Sequence, residues 1–139
     1  MQLSCRFYLR QKYSVMSSKS ENRNKGIQGE QEAASFLIKK GYKIIEMNWF
    51  QGKLEIDIIA QLDQKIIFVE VKKRHSKAFA PPWEAVNRKK QRNIMLAAHI
   101  YIRKTGCDLN PRFDIISIVE DGTSVIEIEH IEDAFWPMA

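Results

Sequence analysis

The chain reads as an α/β protein with the element order α-β-β-β-α-β-β, a mixed sheet flanked by helices. Three observations predict it. Two segments, 28–40 and 84–104, carry helical apolar stripes and stop at Gly41 and Gly106. Two pairs of β-rich runs flank short polar turns at Asp63-Gln64 and Asp121-Gly122, which is a hairpin signal. The second helix falls between the two hairpins, where a right-handed crossover joins parallel strands. A length of 139 residues fits one domain.

The first 24 residues are rich in Ser, Asn and Lys without sustained periodicity, and are expected to be a disordered basic tail ahead of a domain over 25–139. Met16 offers an alternative translation start within it. Gln28–Lys40 is the first predicted helix. A step of about 100° per residue sets a polar stripe of Gln28, Glu32, Ser35 and Lys39 against Ile27, Ala33, Ala34 and Leu37. Glu30 falls in the middle of the apolar stripe, where a carboxylate needs a partner. Tyr42–Trp49 follows as a strand, then a turn around Gln51-Gly52, then strands Glu55–Gln61 and Lys65–Lys73. Pro81-Pro82 is expected to open the helix at 84–104, whose apolar stripe is Ile94, Ala97, Ala98 and Tyr101. Extended backwards, that stripe runs through Asn87, Lys90 and Gln91, polar residues placed to line a cleft. Arg112–Val119 and Ser124–His130 make the last hairpin, and a short turn or helix at Glu132–Phe135 closes the chain.

Composition narrows the classes. Apolar residues are 45% and charged residues 28%, ordinary for a folded protein. No run approaches the roughly 18 apolar residues of a membrane span, and the first residues lack a signal-peptide core. Two cysteines, Cys5 and Cys107, cannot build a disulfide scaffold or a Cys-rich metal site, which points to the cytoplasm. His75, His99 and His130 lack zinc spacing, and no dinucleotide fingerprint, phosphate-cradling glycine loop or Ser/His/Asp set is present. No organic cofactor and no membrane partner are expected.

The net charge of +5 is unevenly spread. Residues 1–25 hold six basic residues and one acid; 72–92 hold eight basic and one acid; 108–139 hold eight acids and one Arg. The middle segment is the expected backbone-contact surface for a polyanion, through Lys73, Arg74, Lys77, Arg88, Lys89, Lys90, Gln91 and Arg92. Phe79 and Trp83 are interleaved with these charges as stacking candidates. The terminal acids, Glu127, Glu129, Glu132 and Asp133 among them, are expected to shield the back of the domain.

The hairpin around Asp63-Gln64 carries the chemistry. Centring the turn there sets Asp57 opposite Glu70 and Glu55 opposite Lys72. Alternation gathers Ile56, Ile58, Ala60, Ile67, Val69 and Val71 on one apolar face, and Asp57, Glu70 and Lys72 on the other. Opposed carboxylates about 5 Å apart at Cβ repel, so a shared proton, a salt bridge to Lys72 or a bound cation must offset them. Mg²⁺ favours one or two carboxylates plus waters and phosphate oxygens. By spacing alone, an ordinary charge cluster on a partly exposed hairpin is the favoured reading.

The segments Gly29-Glu30, Gly41-Tyr42, Asn48, Glu55-Ile56-Asp57-Ile58-Ile59-Ala60, Phe68-Val69-Glu70-Val71-Lys72 and Arg112-Phe113-Asp114 resemble the YraN-type family of bacterial endonuclease-like proteins. That family is assigned to the PD-(D/E)XK phosphodiesterase superfamily, and the resemblance spans roughly Gly26 to Phe135. It implies a restriction-endonuclease-like fold and Mg²⁺- or Mn²⁺-dependent hydrolysis of DNA. It further implies Asp57, Glu70 and the Val71 carbonyl as metal ligands, Lys72 as the catalytic lysine and Glu30 as an added acid. Leu54 departs from the pattern, since many relatives have Gly there. Arg112 and Asp114 are expected to pin a strand rather than to do chemistry. The rival expectations are a nucleic-acid-binding module that does not cut, and a protein-interaction adaptor.

Overall fold

In the computed structural model, residues 21–75, 86–122 and 124–137 are described. Helix α1 (Glu21–Lys39) leads into strands β1 (Lys43–Gln51), β2 (Leu54–Leu62) and β3 (Lys65–Arg74). Helix α2 (Arg88–Thr105) then carries the chain to β4 (Asn110–Asp121) and β5 (Ser124–Phe135). The five strands lie in chain order; β3 and β4 are parallel and every other neighbouring pair is antiparallel. A mixed α/β sheet with one helix on each face is thus the architecture, in the predicted order.

Alternation along the strands explains the two layers. On one face Ala33, Ala34 and Leu37 of α1 pack on Tyr42, Ile58, Ala60, Ile67, Val69, Ile116 and Ile118. On the other, Ile94, Ala97, Ala98 and Tyr101 of α2 pack on Ile59, Ile66, Phe68, Phe113 and Ile115. Each large apolar side chain buried in this way contributes about 1.5–3 kcal/mol. Tyr101 adds edge-to-face contacts with Trp49 and Phe68, at centroid distances of 5.5 and 6.0 Å.

Element bounds depart from the sequence reading in three places. α1 starts at Glu21 rather than Gln28, so its first turns reach into the segment expected to be a disordered tail. Apolar period marks where a helix begins to pack, not where it begins; from Gln28 onward, the first buried residue of α1 is Gly29. α2 starts after Asn87, whose side chain caps it by accepting the Lys90 N–H at 2.9 Å. Gly106, left-handed at φ 65°, ends it as predicted. Residues 132–135 continue β5 instead of forming a turn or helix. The strand absorbs Asp133, left-handed at φ 52°, as an irregularity, because the Asp133 N–H is taken by the Asp114 carboxylate at 3.0 Å. Pro81-Pro82, Phe79, Trp83 and Lys77 lie outside the described residues. No described helix is long and apolar enough to cross a membrane.

Candidate active site

The site forms where β2 and β3 separate, next to a skipped pair of the β1–β2 ladder. Pairs between β2 and β3 run from Leu62↔Lys65 to Ile58↔Val69, in the register predicted from the turn. The ladder stops one pair short of Asp57 and Glu70. There the Asp57 carboxylate replaces a backbone partner, with Oδ2 accepting the Val71 N–H at 2.9 Å. The β1–β2 ladder skips one pair at the same level, between Met47↔Ile58 and Trp49↔Ile56, without changing register. Asn48, which falls in that gap, is left-handed at φ 51°, a conformation Asn tolerates better than most residues.

This interruption corrects the predicted faces. Ile58 packs on the α1 side, but Ile56 joins the α2-side core with Trp49 and Ile59. Simple alternation had placed Ile56 with Ile58. Asp57 marks the switch, and its carboxylate meets the Val71 N–H of β3 and lies within 4.8 Å of Glu30 of α1. The pairing of Glu55 with Lys72 is likewise absent from the ladder.

Four acids converge at this fork. Oxygens of Glu30 from α1 and of Glu55 and Asp57 from β2 all lie within 4.8 Å of one another. Glu70 of β3 is only 4% exposed, and its charge acts on both Asp57 and Glu30. Two lysines reach Glu70 Oε1: Lys72 Nζ at 3.6 Å and Lys90 Nζ, from the first turn of α2, at 3.7 Å. Among the described residues no cation forms an ion pair with Glu30, Glu55 or Asp57, and the buried Oε2 atoms of Glu30 and Glu70 have no hydrogen-bond partner.

Electrostatics follow from that crowding. Burial, then the Glu70 carboxylate, pushes the Asp57 carboxyl up to about 8; Glu30 and Glu55 add to this, and the Val71 N–H opposes it. Glu30 is raised for the same leading reason, burial, with Glu55 and Glu70 adding. Hydrogen bonds with the Asn48 and Asp57 side chains partly offset that rise. The donor set is all carboxylate oxygen, two of its oxygens lack partners, and among the described residues only Glu70 of the set pairs with cations. A hard divalent cation such as Mg²⁺ or Mn²⁺ fits such a set.

Glu30, Asp57, Glu70, Val71 and Lys72, the residues expected at the site, are therefore brought together, with Val71 present through its amide. Glu55 and Asn48 were not assigned roles from the sequence. Glu55 stands two residues before Asp57 in a strand, a signal for a shared face that its apparent partner Lys72 obscured. Nothing in the spacing singled out Asn48.

The basic segment divides. Arg88, Lys89 and Arg92 are exposed on α2, and Lys90 points to Glu70. Gln91 donates its amide to the Val86 carbonyl at 2.9 Å, bracing the approach to the helix. Lys73 and Arg74 are not free for a polyanion. Lys73 pairs with Glu120 at 2.9 Å while its stem crosses Gly29 so closely that a Cβ there would collide with it, and Arg74 lies 3.8 Å from Glu129. The terminal acids thus neutralise part of the basic segment instead of shielding a remote face.

Asp114 is pinned, as expected. It is fully buried and receives both arms of Arg112 at 2.9 and 2.7 Å, with His130 Nε2 at 2.7 Å. Lysine has no acceptor, so His130 Nδ1 accepts from Lys40 at 2.8 Å and Nε2 carries the proton given to Asp114.

Fold and site together define an α/β protein with a carboxylate–lysine cluster at the open end of a hairpin. The chain belongs to the family described as "Uncharacterised protein family UPF0102", whose profile matches residues 29–118. That span includes Glu30, Asn48, Glu55, Asp57, Glu70, Lys72 and Lys90. The chain is 46% identical to a UPF0102 protein of Phocaeicola vulgatus over 118 residues, 85% of this chain and 97% of that protein. It is 45% identical to one of Syntrophomonas wolfei over 121 residues, 82% and 99% of the two chains. A Parabacteroides distasonis UPF0102 protein is 42% identical over 111 residues, 80% and 91%.

Proposed function

We propose that the protein is a metal-dependent nuclease that hydrolyses phosphodiester bonds in DNA, a member of the PD-(D/E)XK phosphodiesterase superfamily that its motifs resemble. The observation that carries this reading is the convergence of Glu30, Glu55, Asp57 and Glu70 on one fork, with lysines touching only Glu70. Asp57, which feels the charge of all three glutamates, would hold Mg²⁺ or Mn²⁺ together with Glu30, Glu55 and Glu70. When bound, such an ion neutralises phosphate charge and acidifies a water.

The chain's own groups supply the rest. Lys72, held beside Glu70 and about one-third exposed, is positioned to orient the attacking water and to meet charge developing on the phosphate. Lys90 offers a second cation from the opposite element. The Asn48 side chain beside Glu30 favours the charged form of its carboxyl. The Val71 N–H fixes Asp57 against rotation. Water adds to phosphorus, the P–O bond to the leaving sugar breaks, and the leaving oxygen takes up a proton.

The test is cleavage of labelled duplex, single-stranded and branched DNA, and of RNA, with Mg²⁺, Mn²⁺ or chelator. Metal-dependent cleavage is expected, falling by about 100-fold or more in Asp57→Ala, Glu70→Ala and Lys72→Ala. Full activity in Glu70→Ala, or no cleavage of any form, would sink the catalytic reading. Salt-dependent binding without cleavage would instead assign a non-catalytic nucleic-acid module, and salt-sensitive self-association without nucleic-acid affinity an adaptor.

A further inference from the structure

The amino-terminal half of α2 presents two adjoining faces. Lys90 turns to Glu70, while Arg88, Gln91, Arg92 and Met95, at helical spacing, line a groove of about 610 Å³ closed on its far side by Trp136 and Pro137. Trp136 is 58% exposed, yet its position is fixed: the preceding Phe135 is buried and stacks on Phe113 at 5.3 Å, and the Asp133 N–H is held by Asp114. An indole held in place at the surface, beside cations, offers exposed aromatic area to a ligand.

The charges here are arranged against the stability of the free protein. Arg88 and Arg92 stand four apart with like sign, and the first turn of α2 contains no acid although the helix dipole favours one there. Among the described residues neither arginine is paired with a carboxylate. A polyanion resolves both conflicts.

We propose that this groove seats an unpaired stretch of nucleic acid as it leaves the candidate site, with a base stacked on Trp136 and phosphates on Arg88 and Arg92. This rests on the nucleic-acid reading above and adds the substrate class. An indole can stack only where a base face is exposed. In a duplex interior both faces of every base are covered, so Trp136 separates unpaired from paired substrate, whereas the arginines serve both.

The test uses the full chain in chelator, titrated into a fluorescein-labelled 15-nucleotide oligo(dT) and a duplex of equal length, beside cleavage assays with Mg²⁺. Stacking contributes about 1–3 kcal/mol per base, so Trp136→Ala is expected to weaken oligo(dT) binding by about 5- to 150-fold and duplex binding by less than about 2-fold. Trp136→Phe restores most of the loss. Arg88→Ala and Arg92→Ala each lower the salt slope by about one on both ligands. The thermal midpoint of each variant establishes that it is folded. Equal weakening on both ligands, or oligo(dT) binding unchanged in Trp136→Ala, overturns the groove proposal and leaves the nuclease reading standing. Loss of self-association in Trp136→Ala with binding unchanged overturns it too, and gives the groove to a second copy of the chain. Trp136-dependent binding without metal-dependent cleavage upholds the groove and removes the catalysis. Absence of binding to either ligand, with no cleavage, removes both.

Discussion

Two buried aspartates on strands either side of β3 are treated in opposite ways. Asp114 on β4 is surrounded by donors: two arms of Arg112, His130 and the Asp133 amide. Burial alone would raise its carboxyl, but those bonds outweigh it and hold Asp114 below the usual range. Asp57 on β2 has one donor, the Val71 amide, and three carboxylates around it, and is pushed up to about 8. The same side chain serves in one place as a completed knot and in the other as an uncompleted one. A buried carboxyl crowded by other acids, with one donor, is a candidate ligand for a group that supplies the missing charge.

The largest stability effect belongs to the completed knot. Asp114→Ala leaves Arg112 and His130 without their acceptor and is expected to cost about 3–5 kcal/mol, a large part of the about 5–15 kcal/mol that holds a domain together. Denaturant unfolding measures it, and added Mg²⁺ should not restore it. The pH dependence has a definite sign. An acid held below its unfolded value of about 3.9 contributes stability above that value, and the contribution fades as the solution is acidified below it. A loss under 1 kcal/mol in Asp114→Ala would mean that the network is decorative.

At the uncompleted knot the sign reverses. Asp57 in the folded protein titrates near 8, far above its unfolded value of about 3.9, so the native state binds more protons across that interval. Its contribution therefore falls as pH rises from about 4, and is gone above about 8. Asp57→Asn keeps an acceptor for the Val71 N–H and removes the charge. In chelator at pH 8 it is expected to be more stable than the native sequence by about 1–3 kcal/mol, with a smaller difference near pH 5. Coordination needs the deprotonated carboxylate, so Mg²⁺ or Mn²⁺ should raise the melting temperature more at pH 8 than at pH 6, and little in Asp57→Asn. A destabilised Asp57→Asn at pH 8, or a metal effect larger at pH 6, would remove the contrast.

Much of this contrast was legible in the sequence. The turn at Asp63-Gln64 set the β2–β3 register, and the α2 stripe of Ile94, Ala97, Ala98 and Tyr101 is the buried one. Glu30 was out of place on an apolar stripe, and the fork explains why. What escaped depends on broken periodicity and on neighbours distant along the chain. Alternation presumes an unbroken ladder, so Ile56 and Glu55 were misassigned where the ladder skips a pair at Asn48 and Asp57. Counting charge by segment could not show that Lys73 and Arg74 meet Glu120 and Glu129, because only the β3–β4–β5 pairing brings them together.

Each knot also contains one left-handed residue that is not glycine, Asn48 at one and Asp133 at the other. Glycine relieves the backbone at either position. At Asp133 the functional contact is the backbone N–H, which Asp133→Gly retains, so stability should move by no more than about 0.5 kcal/mol and metal affinity not at all. At Asn48 the contact is the side chain on Glu30. Asn48→Gly should change stability by less than about 1 kcal/mol yet weaken Mn²⁺ binding by about 10-fold, the usual effect of losing a group that orients a ligand. Calorimetric titration with Mn²⁺ beside thermal melting separates the two readouts. If Asn48→Gly loses stability and keeps its metal affinity, Asn48 is a structural residue, and the fork is held open by its backbone alone.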